Sequence, residues 1–134
     1  MSAQLEFADD LLARIRAKAG RYDERAFLFV LSALEYQQAR LPERRHVSGH
    51  ELSRACRDFA LEEYGLLART VLEHWGIRST SDFGAIVYAL IDAGLLVRQD
   101  DDRQEDFEGV YAFTDAFEHG YQWRAWREDV RLEA

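Results

Sequence analysis

TSDFGAIVYALIDAGLLVRQDDDRQEDFEGVYAF, residues Thr80 to Phe113, is the stretch whose reading decides the fold. Phe83, Ile86, Val87, Leu90 and Ile91 recur at helical spacing, so one face of a helix is expected to turn inward. Thr80 or Ser81 caps that helix and Gly94 stops it. Residues 95–99 and 107–113 are rich in apolar, β-branched and aromatic side chains and are predicted to pair as two strands. The acidic loop DDDRQED, residues 100–106, joins them. A helix running straight into a hairpin is how a winged-helix domain ends. The expected fold is therefore mainly α with a small β-hairpin (α+β), a helical bundle whose second half is winged-helix-like.

Upstream, the pattern is helical throughout. Leu5, Ala8, Leu12, Ile15 and Ala19 mark a first helix, with acids early and bases late as the helix dipole favours. Asp23 caps a second helix that must end before Pro42. Its AFLFVL run, residues 26–31, is apolar on nearly every face, so this helix is predicted to be central and buried all round. Ser48-Gly49-His50-Glu51 has the Ser-x-x-Glu spacing of a capping box. It opens a third helix with Leu52, Ala55, Cys56, Phe59 and Ala60 on one face, broken at Gly65. Leu67, Val71 and Trp75 continue on a fourth helix ending at Gly76. Thr114 caps a short last helix, and an aromatic tail follows. The organisation read is one domain over 1–134: N-terminal helices in 1–47, the winged-helix-like part in 48–113, and the short helix and tail in 114–134.

Six strings carry a resemblance: RYD (21–23), HVSG (46–49), ARTVLEHWGIRST (68–80), DFG (82–84), AGLL (93–96) and EDF-x-GVY (105–111). On these the chain resembles the Minf-type family, a group of short bacterial proteins. The resemblance covers about residues 21–113 and implies a bacterial cytoplasmic protein of one domain. It brings no known activity, so no catalytic residue is carried over from it.

Composition narrows the function classes. The chain has 134 residues, 48% of them hydrophobic and 13% aromatic, which is enough for a core. Its one Cys cannot form an internal disulfide and fits a reducing cytoplasm. No signal peptide is read in the acidic N-terminal segment, and no apolar run approaches the ~20 residues of a membrane helix. The net charge is −8, distributed as +1 over residues 1–47, −3 over 48–97 and −6 over 98–134. The C-terminal third would repel phosphate.

Each cluster that suggests chemistry fails its own context test. His46 and His50 are four apart, but Ser48 starts the helix between them, so they do not share a face as paired zinc ligands would. Cys56 falls on an apolar helix face, away from the donors that activate a thiol. DDDRQED lacks the alternating oxygens and the glycine of a calcium loop. Asp82-Phe83-Gly84 matches the kinase magnesium tripeptide by letters only, and VSGH lacks a nucleophile-elbow frame. The reading assigns no catalytic residue, no metal and no cofactor, and the chain is expected not to be an enzyme; an enzyme of unknown class is the second alternative.

The helix before a wing reads DNA with outward donors and cations. Here the outer face is expected to show Ser81, Asp82, Ala85, Tyr88, Ala89 and Asp92, and the wing tip is acidic. Nucleic acid is therefore disfavoured, and the leading expectation is a non-catalytic protein–protein interaction module, with a homodimer among its forms. Its surface would include Tyr88 and the tail aromatics Tyr121, Trp123 and Trp126, since Tyr and Trp are enriched at interface hot spots. The alternative is a nucleic-acid binder using the basic N-terminal half, through Arg21, Arg40, Arg44 and Arg45.

Overall fold

The computed structural model describes residues 2–3, 13–15, 17 and 20–119. The expected aromatic tail, including Tyr121, Trp123 and Trp126, lies outside them, as does most of the first expected helix.

Helix α1 (Glu24–Ala39) starts where Asp23 accepts a hydrogen bond from the Arg25 amide at 2.9 Å and ends ahead of Pro42. Ala26, Phe27, Phe29, Val30, Ala33 and Leu34 are buried, so the helix is central, but it is not enclosed on every side. Leu28 stands 40% exposed, because the neighbouring helices cover only part of the circumference. Helix α2 (Gly49–Tyr64) opens with the expected capping box: Ser48 Oγ accepts from the Glu51 amide at 3.2 Å, and Glu51 Oε1 accepts from the Ser48 amide at 3.1 Å. Leu52, Ala55, Cys56 and Ala60 are buried on its inner face, with Leu61, and Phe59 is partly buried.

Gly65 ends α2 and begins a single 3-10 turn, Gly65–Leu67, which leads into α3 (Ala68–His74). Gly76 then reverses the chain. Its φ is +95°, and a Cβ there would sit 2.6 Å from the Arg21 carbonyl oxygen, so both the conformation and the close approach require glycine. Beside it the Asp23 amide donates to the Trp75 carbonyl at 3.0 Å, tying the end of α3 to the start of α1.

Helix α4 (Thr80–Asp92) is capped one residue earlier than expected, at Ser79. Thr80 is buried and its hydroxyl accepts from the Val110 amide at 3.3 Å, which takes it out of the capping role. Phe83, Ile86, Val87 and Leu90 are fully buried, so the aliphatic side faces inward as the spacing requires.

The predicted hairpin does not form. Leu96–Val97 pairs antiparallel with Ser2–Ala3, in the register Ser2↔Val97 and Ala3↔Leu96, and not with residues 107–113. Residues Gln104–Phe107 coil into a 3-10 turn. The reason is the demand for Phe107, which is completely buried. A Cβ on Gly49 of α2 would come within 3.1 Å of its ring, and one on Gly84 of α4 within 2.9 Å of its Cβ. Two helices thus give up their side chains at facing positions to admit one phenyl ring. Tyr111 and Phe113, also read as strand residues, act as separate anchors: Tyr111 donates its hydroxyl to the Ser53 carbonyl at 2.6 Å, and Phe113 packs on Phe83 and Phe117 with centroids 6.0 and 4.9 Å away. Alternating apolar residues here serve wedging and anchoring, which an isolated strand pattern does not distinguish from pairing. Thr114–His119 closes the described chain as a π-helical turn, held to α3 by Arg69, which donates to Glu118 at 2.6 Å and to Thr114 at 3.2 Å.

Candidate functional site

The four arginines expected to form a basic surface separate into three places. Arg21 donates to Asp82 at 2.6 Å. Arg40 lies over the Tyr36 ring, 5.0 Å from its centroid, and donates to the Tyr36 hydroxyl. Arg44 and Arg45 stay together on the connection between α1 and α2. With Gln38, His46, Val97, Arg98 and Gln99 they line an open cleft of about 350 Å³.

The cleft is built by a small number of polar ties. Gln38, buried on the last turn of α1, accepts from the Arg45 amide at 3.1 Å and donates to the Arg45 carbonyl, so one side chain clasps both backbone groups of that residue. Arg45 then makes a two-point contact with Glu51, at 2.6 and 3.2 Å. The Arg45 guanidinium and the Ser48 amide hold the Glu51 carboxyl well below its ordinary value of 4.5, at about 2. Arg44 makes a similar fork with Glu35, at 3.0 and 3.3 Å. Asp102, beside His46, is buried. Its Oδ1 lies 3.0 Å from His46 Nε2 and its Oδ2 accepts from the Gln99 amide at 2.8 Å. Arg98 donates to the backbone carbonyl of Asp102 at 3.0 Å.

Asp102 belongs to the acidic loop that the sequence places at the tip of a hairpin. Its burial is the main correction to the acidic loop, since the third of three consecutive acids would ordinarily be solvated. The signal that could have found it is local: a carboxylate three residues after Gln99 can accept from that residue's amide and close a turn. Asp82, expected on the outer face of α4, is likewise buried. It accepts from the Tyr22 hydroxyl at 2.5 Å, from Arg21 at 2.6 Å, and from the Arg78 and Ser79 amides at 2.7 and 3.1 Å. Burial, then the bond to Asp82, pushes the Tyr22 phenol up.

Tyr88 was expected to stand in water. It is half-buried, packed against the core, and its hydroxyl is buried with no hydrogen-bond partner among the described residues. Cys56 is fully buried, and that burial pushes its thiol up. His50 is exposed on the first turn of α2, while His46 faces Asp102, so the two imidazoles do not converge.

The most exposed large apolar side chains among the described residues are two neighbours, one of which, Leu67, the spacing places on the fourth helix but the structure leaves on the turn before it. Leu66 is 68% exposed and Leu67 63%, both on the 3-10 turn between α2 and α3. Among the described residues no helix is long and apolar enough to cross a membrane. No family model, curated protein or solved structure matches the chain.

Proposed function

We propose that this protein is a non-catalytic module that works by contact with another protein. The observation that supports it most is the adjacent exposure of Leu66 and Leu67 on a turn held at both ends. Gly65 closes α2, Ala68 is buried at the start of α3, and Arg69 is tied to Glu73 and Glu118. A leucine pair presented on a short turn between two helices costs little ordering entropy on binding, which favours an anchor. On this reading α2 to α4 are a winged-helix-like set whose wing is replaced by the Phe107 loop, with the contact surface at the α2–α3 turn.

A photo-reactive amino acid placed at position 66 tests the reading in the cells the chain comes from. Cross-linking to one protein species, a second copy of this chain included, is expected at position 66 and not at the exposed position 103. Equal capture at both positions, or none, refutes it.

Nucleic-acid binding is the second reading, favoured by Arg44, Arg45 and Arg98 sharing one cleft. It stands lower because Arg21, Arg44 and Arg45 are each engaged by a carboxylate of this chain, and Asp100 and Asp101 are exposed on the same loop. Binding to duplex DNA that persists at physiological salt and falls steeply above it would reverse the order.

A further inference from the structure

We propose that the cleft between the α1–α2 connection and the loop after Val97 is a binding site for a small phosphate monoester. The inference is independent of the protein-contact reading.

Three arginines, Arg44, Arg45 and Arg98, line a cleft of about 350 Å³ together with His46. That volume lies at the lower end of the range for small-molecule sites, roughly 300–1,000 Å³. The cleft also offers Gln99, a polar lining residue suited to hydroxyls, and Val97, 44% exposed, as an apolar wall. This mixture suits a ligand with an anionic head and a compact hydroxylated body.

The charge balance selects the head group. The cations do not stand alone: Glu35 forks Arg44, Glu51 forks Arg45, and the buried Asp102 faces His46. Arg44 and Arg45 are thus already satisfied by carboxylates, and exchanging one monoanionic carboxylate for another gains nothing. A phosphate monoester carries about −1.5 to −2 charges and three acceptor oxygens, so it can engage more than one guanidinium at once. Arg98 is bonded to a backbone carbonyl, which leaves its charge to be met by a ligand.

The arginines divide the work. Arg45 is fixed at both ends, by Gln38 at its backbone and by Glu51 at its guanidinium, and serves as the rigid wall. Arg44, with 66% of its side chain exposed, and the exposed Arg98 are the groups that can turn to a ligand without dismantling the fold.

Titration calorimetry on the full chain tests this, with inorganic phosphate and adenosine monophosphate as probes and with acetate and a short DNA duplex for comparison. Both phosphates are expected to bind, adenosine monophosphate more tightly, and acetate not to bind. Arg44→Gln and Arg98→Gln, made singly and together, should each weaken binding by about tenfold or more, while Arg21→Gln, which is not in the cleft, should leave it unchanged. Melting curves of the variants establish that they are folded, and the single variants keep the test valid should the double variant unfold. Absence of phosphate binding at about 10 mM overturns the proposal. So do equal affinities in wild type and both single variants, or binding of the duplex without binding of either small phosphate.

Discussion

Asp82 shows how much one side chain can hold. Its two oxygens receive four donors: the Tyr22 hydroxyl, the Arg21 guanidinium and the amides of Arg78 and Ser79. It therefore fixes both the start of α4 and the segment leading into α1, which lie about 60 residues apart in the chain. An Asn at this position keeps one acceptor oxygen and brings an NH₂ toward groups that are themselves donors. Asp82→Asn is expected to destabilise the fold by roughly 2–4 kcal/mol in urea unfolding. Arg21→Gln removes only the partner that is 68% exposed, and should cost less than about 1 kcal/mol. The wedge of Phe107 makes a second expectation at this level. Gly84→Ala would place a Cβ 2.9 Å from the Cβ of Phe107, and despite the better helix propensity of alanine it should cost about 1–3 kcal/mol.

Most of the described helix ends were legible in the sequence because they are written in local chemistry. The Ser48–Glu51 box, the Asp23 cap and the stops at Gly65, Gly76 and Gly94 all act within a few residues. The hairpin was not legible for the opposite reason. Phe107, Tyr111 and Phe113 alternate as strand residues do, but the groups they serve are Gly49, Gly84, Ser53 and Phe83, on distant helices. The arginine cleft was half legible: Arg44 and Arg45 are neighbours in the chain, while Arg98, Gln99 and Asp102 reach them only through folding. The capping box also makes the stability of α2 depend on pH. The folded Glu51 carboxyl titrates at about 2, below its ordinary 4.5. The native state binds the proton less readily, so its contribution is complete above about 4.5 and is lost as pH falls toward about 2. Thermal melts of Glu51→Gln should therefore fall less steeply than wild type across that interval and lie below it at neutral pH.

The described core joins residues from Ile15 to Phe117 in one hydrophobic cluster, and the buried aromatic set around Phe29 runs through its centre. Phe107→Ala would open a void between α2 and α4, and should cost about 3–5 kcal/mol in global stability. Leu66→Ser with Leu67→Ser provides the contrast. Both side chains are more than 60% exposed, so the melting temperature should barely change, while any contact with a partner protein should be lost. A shared fall in both readouts would mean that the turn is structural. Cys56 gives this molecule a built-in clock. It is the one cysteine in the chain and is wholly enclosed, with its thiol shifted away from the reactive thiolate form. A disulfide reagent can modify it only when α2 parts from its neighbours, so the modification rate in native buffer measures how often the interior opens, with no residue changed.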